Sequence, residues 1–235
     1  MAMRVREFAK TVDHTLLKPD ATEGDIARLC EEAALYHFAA VCVPPGYVRL
    51  ASQELRGADV KVATVVSFPF GYDATPVKAA AVREAISAGA VELDMVMNVS
   101  RFLSGEFDYV ADELSTLVQE VSVVAINNGL NDVVVKVIIE TAYLTYKMKR
   151  LATQIVAASG ADFVKTSTGF GPAGATPEDV ALLREEAPEG VAVKASGGIR
   201  TLEDALDMLN AGASRLGMSS SVAVMEEAEG GGLQE

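Results

Sequence analysis

The stretch DFVKTSTGFGPAGATPEDVALLREEAPEGVAVKAS (162–196) contains one complete strand–helix–strand repeat. It begins and ends with short runs, DFVKTST (162–168) and VAVKAS (191–196), whose apolar character is typical of buried parallel strands. Between them, Thr176-Pro177-Glu178-Asp179 supplies an N-cap threonine, a proline at the first helical position and an acid that completes the cap. The stretch therefore predicts a strand, a helix that begins after Thr176, and a second parallel strand.

The same unit recurs along the rest of the chain. Six further apolar or β-branched runs alternate with amphipathic segments, several of which end at a glycine turn such as Ala-Gly-Ala. These runs are Thr11–Leu17, Ala39–Val43, Lys61–Phe68, Val91–Asn98, Val133–Glu140 and Ser214–Ser219. Eight strands alternating with helices predict an α/β protein, a single (β/α)8 TIM barrel over residues 1–235. The alternative is an open doubly wound sheet. The acidic, glycine-rich residues from about 226 to 235 are expected to form a loose tail.

The composition indicates a cytoplasmic protein with a large apolar core. Half of the residues are hydrophobic, the mean hydropathy is +0.23 and the formal net charge is −13. This acidic character argues against binding to nucleic acid or to an anionic membrane surface, but a local site for an anionic substrate remains possible. No run approaches the ~18 apolar residues of a membrane span, and MAMRVREFAK (1–10) carries charges where a signal peptide is apolar.

Cysteine and histidine are too few for a metal centre built by the protein. Cys30, Cys42, His14 and His37 have neither a disulfide framework nor a common zinc-ligand spacing. We therefore expect no metal and no separate cofactor. Cys42 is interpreted as a small core residue, and His14 has no partner that the sequence reveals.

Three lysines interrupt predicted apolar strands. Lys136, Lys165 and Lys194 are each 29 residues apart, which predicts that they lie at nearly the same depth in successive strands. A lone strand lysine is usually a snorkelling or edge residue. Three buried lysine charges in consecutive strands cost desolvation free energy unless carboxylates pair with them. We therefore expect the three lysines to converge on one functional cavity at the C-terminal end of the barrel.

Carboxylates that interrupt strands are the expected partners of these lysines. They are Asp13 in TVDHT, Asp94 in VELDMVMN and Glu140 in VKVIIET. Asp13 is alternatively a turn residue, and Asp94 a strand-end cap or a counter-charge. For Glu140, an ion pair with Lys136 or another lysine is as plausible as a catalytic role.

Crowded lysines favour covalent amine catalysis. A free lysine has a pKa of about 10.4 and is protonated at neutral pH. A neighbouring cation and an apolar wall lower that pKa and leave a neutral amine that attacks a carbonyl group. The resulting iminium ion accepts electrons while a C–C bond breaks or forms, so the pattern predicts metal-independent, class I aldolase chemistry.

Glycine- and serine-rich segments follow the last three predicted strands. The loops after strands seven and eight commonly bind phosphate in this fold, through backbone N–H groups and a helix N-terminus. The alternative is that the glycines only form tight turns. Candidate phosphate-binding residues are Gly169, Gly197, Gly198, Gly217, Ser219 and Ser220, with Arg200 as a possible additional charge.

Seven segments, in order from about residue 10 to 225, resemble the deoxyribose-phosphate aldolase family. They are DHTLLKPDAT (13–22), VVSFPFGY (65–72), ELDMVMN (92–98), VKVIIET (135–141), DFVKTSTGFGPAGAT (162–176), VKASGGIRT (193–201) and LGMSS (216–220). The resemblance implies a (β/α)8 barrel, active in deoxyribonucleotide catabolism. It also implies reversible cleavage of 2-deoxy-D-ribose 5-phosphate to acetaldehyde and D-glyceraldehyde 3-phosphate.

The resemblance also implies a role for each motif residue. Lys165 is similar to the Schiff-base lysine, and Lys194 to the cation that lowers its pKa. Asp94 resembles the acid/base carboxylate that acts through a water molecule, and Lys136 and Asp13 resemble its network partners. The glycines and serines named above correspond to the phosphate site. Some members carry a C-terminal tyrosine that reaches the site, and this chain has none after Tyr146.

The residues leave other functions open. One is another Schiff-base aldolase of phosphosugars or keto acids, or a transaldolase-like barrel. Another is a phosphosugar-binding barrel without lyase activity, or an isomerase. For the deoxyribose-phosphate aldolase interpretation we expect small phosphorylated sugar and aldehyde substrates and a homodimer or homotetramer.

Overall fold

Eight parallel strands close into a barrel in the order in which they follow one another along the chain. The structure is a computed structural model that describes residues 3–234. The strands are β1 (Val12–Thr15), β2 (Ala40–Val43), β3 (Lys61–Val66), β4 (Glu92–Val96), β5 (Val134–Ile138), β6 (Phe163–Lys165), β7 (Ala192–Ser196) and β8 (Arg215–Met218). Each lies inside one of the predicted runs. Since β1 pairs with β8, the sheet is closed and the open alternative is excluded.

Helices cover the outside of the barrel and connect successive strands. They are α1 (Val5–Ala9), α2 (Glu23–Leu35), α3 (Val48–Glu54), α4 (Thr75–Ala88), α5 (Val99–Leu103), α6 (Phe107–Asn127), α7 (Tyr146–Ala158), α8 (Pro177–Glu186), α9 (Leu202–Asn210) and α10 (Ser221–Glu227). Short 3₁₀ turns lie at Pro45–Tyr47 and Thr141–Tyr143. Within residues 3–234, no helix has both the length and the apolar character needed to cross a bilayer.

The helix boundaries follow local sequence signals. The hydroxyl of Thr22 accepts a hydrogen bond from the Asp25 N–H, and the Asp25 carboxylate accepts one from the Thr22 N–H. Thr176 caps α8 in the same position. Gly89 ends α4 with φ +113°, a conformation that side chains with a Cβ rarely adopt. These caps place the strand ends, and therefore the loops above them, at defined positions.

The barrel interior is apolar on two strands and charged on the other six. Ala40 and Cys42 on β2 pack with Ala63 and Val65 on β3 in a small buried cluster. The strands from β4 around to β1 instead carry buried acids and bases. The main apolar core lies outside the barrel, between the strands and the helices. The charged residues therefore lie beside an apolar wall formed by β2 and β3.

Residues 169–174, GFGPAG, have the glycine spacing of a dinucleotide-binding turn. In that turn the helix opens directly from the glycines of an open sheet, whereas here α8 begins only at Pro177. A Cβ added to Gly174 would lie 2.1 Å from the carbonyl oxygen of Gly197. The glycines therefore allow the loop after β6 to lie directly against the loop after β7.

The C-terminal segment is docked as far as residue 234, and the expectation of a loose tail is wrong for these residues. Ala228 is buried and Leu233 packs against the main core. The Val5 N–H donates to the Gln234 carbonyl at 2.9 Å. Two apolar side chains and this hydrogen bond fix the position of a segment whose glycine and glutamate content predicts a flexible tail. Glu235 lies outside the described residues.

Candidate active site

Lys165 and Lys194 are register partners in β6 and β7, whereas Lys136 pairs with Phe163, two residues before Lys165. The strands of a closed barrel tilt against its axis, so register partners on adjacent strands differ in height, and the residues of one layer come from alternate strands. Lys136 on β5 and Lys194 on β7 therefore lie at about the same level, with Lys165 about one residue above them. The three lysines thus have nearly the same depth, as their spacing predicts.

The three lysines converge on one carboxylate, Asp94. Lys165 Nζ lies 2.6 Å and Lys194 Nζ 2.7 Å from Asp94 Oδ2, while Lys136 Nζ lies 3.0 Å from Oδ1. Asp94 pairs with Lys136 in the register of β4 and β5 and is fully buried. Asp94 is therefore a counter-charge to the three lysines and not a strand-end cap, and its acid/base role stays a prediction.

Asp13 holds the other side of Lys194. Its Oδ2 accepts a short hydrogen bond from Lys194 Nζ, and its Oδ1 accepts one from Arg215 Nε at 2.9 Å. Lys136 Nζ lies 3.8 Å from the same carboxylate. Since Asp13 is fully buried inside the barrel, it is a member of the charged network and not a turn residue.

The surroundings drive the pKa values of the two adjacent lysines in opposite directions. Burial lowers the pKa of Lys165, the Lys194 charge lowers it further, and Asp94 only partly opposes them. Burial also disfavours the charge of Lys194, but Asp13 and Asp94 together outweigh burial and raise its pKa. Lys165 is therefore the better amine nucleophile, and Lys194 remains a cation.

The carboxylates stay ionised in spite of their burial. Burial alone would raise the pKa of Asp94, but Lys136, Lys165 and Lys194 hold it well below its usual range. Asp13 is affected in the same direction, because Lys194 and Arg215 outweigh its burial and keep its pKa low. The buried negative charges of Asp94 and Asp13 are therefore compensated by contact with cations.

A cavity of about 280 Å³ opens above this cluster at the C-terminal ends of the strands. Lys165 is the member of the charged cluster that lines it, with 5% of its side chain exposed, whereas the Lys136 and Lys194 side chains are fully enclosed. The cavity lining includes Thr15, Leu16, Leu17, Lys18, Thr168, Phe170, Ser196, Ile199, Arg200 and Met218. A carbonyl compound in this cavity reaches Lys165 but not the other two lysines.

Five of the six candidate phosphate-binding residues line the same cavity: Gly169, Gly197, Gly198, Gly217 and Ser219. Ser220 precedes α10 and is not part of the lining. Gly198 has φ +84°, and a Cβ added to it would meet nothing within 4 Å. The backbone there is open to an incoming group.

Lys18 was not predicted, although it lies in the DHTLLKPDAT segment. It projects from the loop after β1, lines the cavity with Arg200, and is exposed. A charged residue in a loop does not interrupt an apolar run, so the sequence pattern does not single out Lys18. Its position at the cavity is what shows that it belongs to the site.

Glu140 forms no ion pair with a lysine in the described structure, which corrects the expected pairing. It follows β5 with φ +53° and is only 3% exposed. Its carboxylate accepts a hydrogen bond from the Thr168 N–H at 3.1 Å and a short one from the Thr168 hydroxyl. Gly171 leaves room for that carboxylate, since an added Cβ would lie 3.0 Å from it. Glu140 therefore holds the loop that carries Gly169.

Glu92 and Arg215 are charged residues of the barrel interior that sequence reasoning missed. Glu92 Oε2 lies 2.5 Å from Lys136 Nζ and 2.9 Å from Arg215 Nη2. Both residues interrupt strand runs, VELDMVMN and SRLGMS. A charged residue inside an apolar strand run, the pattern that identified the three lysines, therefore identifies Glu92 and Arg215 as well.

His14 and Cys42 lie outside the charged network. His14 points away from the barrel interior toward α2, where its Nε2 lies 2.8 Å from Glu32, and burial lowers its pKa. Burial raises the pKa of the Cys42 thiol to about 11, so it is protonated at neutral pH. The interpretation of Cys42 as a core residue agrees with its place in the apolar cluster.

Comparison with known proteins agrees with this geometry. Residues 8–226 match the family model described as DeoC/LacD family aldolase. The deoxyribose-phosphate aldolase of Thermoanaerobacter sp. (strain X514) is 51% identical over 220 residues, which are 94% of this chain and 96% of the relative. The deoxyribose-phosphate aldolase of Caldanaerobacter subterraneus subsp. tengcongensis is 51% identical over 226 residues, 96% of this chain and 95% of that protein.

Solved structures give the same result. A putative deoxyribose-phosphate aldolase from Coccidioides immitis superposes with a TM-score of 0.89 at 39% identity, over 97% of this chain and 88% of that one. The deoxyribose phosphate aldolase from Aeropyrum pernix, described as tetrameric, has a TM-score of 0.87 at 36% identity, over 97% and 93% of the two chains.

Proposed function

This chain belongs to the DeoC/LacD family of aldolases, and we propose that it is a deoxyribose-phosphate aldolase. It would reversibly cleave 2-deoxy-D-ribose 5-phosphate to acetaldehyde and D-glyceraldehyde 3-phosphate. The observation that carries this proposal is Lys165. It is a lysine with a lowered pKa that contacts Asp94 and Lys194 and lines the cavity above the barrel.

Lys165 is the proposed nucleophile. Its neutral amine attacks the C1 aldehyde of the open-chain sugar, and loss of water from the carbinolamine gives an iminium ion. The C2–C3 bond then breaks, its electron pair moves into the iminium as an enamine, and the C3 hydroxyl loses its proton. Glyceraldehyde 3-phosphate leaves. Protonation of the enamine at C2 and hydrolysis of the new iminium release acetaldehyde and restore the amine.

Asp94 is the proposed group for the proton transfers, acting through a water molecule in the cavity. Among the described residues it is the carboxylate in contact with Lys165 Nζ, at 2.6 Å. Its pKa, held well below the usual range, keeps it negative, so it also stabilises the positive iminium that replaces the neutral amine. Lys194 and Lys136 fix the position of that carboxylate.

The substrate phosphate is proposed to bind at the loops after β6, β7 and β8. Gly198 offers an unobstructed backbone, and Ser219 supplies a hydroxyl on the same cavity. Lys18 and Arg200 add positive charge at the cavity mouth. Backbone N–H groups and nearby cations are a common arrangement for phosphate recognition.

No metal or separate cofactor takes part in the proposed reaction. The iminium accepts the electrons that a metal ion would otherwise stabilise. The carboxylates nearest Lys165 are engaged by ammonium and guanidinium groups, which leaves them poorly suited to bind a cation.

We also propose a cytoplasmic homo-oligomer. Cys30 and Cys42 are free, buried thiols, which is usual in a reducing compartment. The tetrameric description of the Aeropyrum pernix protein supports assembly of this chain with copies of itself.

Reductive trapping tests the proposed chemistry. Acetaldehyde and borohydride should add one ethyl group, which peptide mass spectrometry should locate on Lys165. Lys165→Ala should lose activity and labelling together, while Lys61, exposed at the start of β3, provides a matched control in Lys61→Ala. Labelling that persists undiminished in Lys165→Ala would contradict the assignment, and an isomerase would form no adduct.

A further inference from the structure

Glu92 and Arg215 complete a buried cluster that contains one more basic group than acidic groups. The basic groups are Lys136, Lys165, Lys194 and Arg215, and the carboxylates are Asp13, Glu92 and Asp94. The side chains are between fully enclosed and 14% exposed, so solvent compensates little of their charge. If every base is protonated, one positive charge inside the barrel has no counterpart.

The extra charge affects all members, because the cluster is continuous. Arg215 contacts Asp13 and Glu92, and Glu92 also contacts Lys136. Asp13 in turn contacts Lys194, and Lys136 and Lys194 both contact Asp94, the partner of Lys165.

Lys165 is the group that can most readily lose its proton. Arginine is not deprotonated in proteins. Lys136 lies within 4.0 Å of Asp13, Glu92 and Asp94, and Lys194 contacts both aspartates. Lys165 is held by Asp94 alone among the described acids. The most weakly compensated lysine is also the one that opens to the cavity.

We propose that Arg215 and Glu92 are positioning residues that set the protonation state of Lys165 through this charge count, although neither touches Lys165 or lines the cavity. The inference rests on the proposed function of Lys165 as nucleophile. The charged and titratable groups next to Lys165 are Asp94 on β4, Lys194 on β7 and Cys42 on β2, with Lys18 and Arg200 at the mouth of the cavity. Lys136 on β5 contacts Asp94, and Asp13 on β1 contacts Lys194, so both lie one contact further away.

Neutral substitutions of the two residues should have opposite effects. Arg215→Gln removes the surplus positive charge, so the Lys165 ammonium becomes more stable and the acidic limb of kcat/KM moves to higher pH. Glu92→Gln removes a negative charge, so the limb moves to lower pH. A unit charge ~10 Å away at an effective dielectric near ~20 shifts a pKa by roughly one unit, so each limb should move by about that amount.

Two controls separate charge from shape. Arg215→Lys and Glu92→Asp keep the charges and change the contacts, so their limbs should stay within a few tenths of a pH unit of wild type. The double variant Glu92→Gln/Arg215→Gln removes one charge of each sign, and its limb should return close to the wild-type position. Damage to packing alone would lower the amplitude in all variants and would restore nothing in the double variant.

The experiment measures pH–rate profiles for cleavage of 2-deoxyribose 5-phosphate, with thermal unfolding recorded for every variant. The inference would be overturned if the acidic limb of kcat/KM did not move in Arg215→Gln and Glu92→Gln, or moved in the same direction in both. It would also be overturned if the limb stayed displaced in the double variant. If Arg215→Gln fails to fold, Glu92→Gln still tests the inference, because the charge count predicts that its acidic limb moves to lower pH and damage to packing does not. Trapping of wild-type Lys165 with acetaldehyde tests the proposed function separately.

Discussion

At the scale of single residues, the site shows how two neighbouring buried lysines acquire different chemistry. Lys165 and Lys194 are register partners, and both are buried. Lys194 lies between Asp13 and Asp94, whereas Lys165 contacts only Asp94 among the described acids. The additional contact with Asp13 is therefore enough to raise the pKa of Lys194 and keep it a cation, while the pKa of Lys165 is lowered.

Replacing Lys194 should show that its charge tunes Lys165. Lys194→Leu removes a cation close to Lys165, so the Lys165 pKa should rise and the acidic limb of kcat/KM should move to higher pH. Two like charges ~6–8 Å apart at an effective dielectric near ~20 repel by ~2–3 kcal/mol, which is a shift of up to about two pH units. The measurement is the pH–rate profile of sugar cleavage.

Lys194→Arg is the matched control, because it keeps the positive charge and should move the limb far less. An unmoved limb in Lys194→Leu, with only the amplitude reduced, would make Lys194 a proton donor or a positioning group. The lowered Lys165 pKa also has a cost for folding. The folded state disfavours the ammonium, so this lysine reduces the free energy of unfolding as pH falls below the unfolded pKa of ~10.4.

At the scale of elements, three loops at the C-terminal ends of β6, β7 and β8 form one surface. Gly174 and Gly197 bring the first two loops into direct contact, and Glu140 at the end of β5 ties down Thr168. The loop that carries Gly169 is therefore held from both sides.

Gly198→Val should impair phosphate recognition in particular. Gly198 lines the cavity and an added Cβ meets no atom within 4 Å, so a valine side chain would occupy open space that close approach of the anion to the backbone requires. KM for deoxyribose 5-phosphate should rise by about tenfold or more, the equivalent of ~1.4 kcal/mol, while cleavage of unphosphorylated deoxyribose should change little. Gly57 has φ +86° and equally open surroundings, so Gly57→Val controls for backbone strain. An equal loss on both substrates would indicate damage to the barrel.

Glu140→Ala should loosen the loop after β6. It removes the acceptor of the Thr168 N–H and hydroxyl hydrogen bonds, and bonds to a charged acceptor contribute about 1.5–3 kcal/mol. We expect KM for deoxyribose 5-phosphate to rise by roughly an order of magnitude, with the rate of Lys165 trapping by acetaldehyde nearly unchanged. Glu140→Gln keeps one acceptor oxygen and should recover part of the loss. Loss of trapping in Glu140→Ala would instead assign Glu140 to the chemistry at Lys165.

The same elements show how far the sequence determines the structure. All eight strands were predictable, because a closed parallel barrel demands apolar runs flanked by capped helices. Asp13, Asp94 and the three lysines were identifiable for the reverse reason, since charges are rare in such runs. The register that pairs Lys136 with Phe163 was not predictable, because register depends on how the strands and their connecting helices pack. The Glu140–Thr168 contact depends on a turn with φ +53°, which leaves no pattern in the sequence.

At the scale of the whole molecule, the charge of the barrel interior contrasts with that of the chain. The protein carries a formal net charge of −13, yet the buried cluster holds more basic than acidic groups. An anionic substrate therefore meets a locally positive site on an acidic protein, with Lys18 and Arg200 at its entrance. The excess of negative charge therefore lies outside this cluster, and the surplus of basic groups lies inside the barrel.

This arrangement also predicts that activity is independent of added metal. A divalent cation would have to displace Lys136, Lys165 or Lys194 from Asp94 and would increase the positive charge of a cluster that already has a surplus. Prolonged treatment with a chelator, followed by gel filtration, should leave kcat/KM unchanged within error. Trapping of Lys165 by acetaldehyde, measured on the same sample, should also be unchanged. A large loss of activity that added zinc restores would place this chain among metal-dependent aldolases, and the lysines would then have to be reassigned to substrate binding.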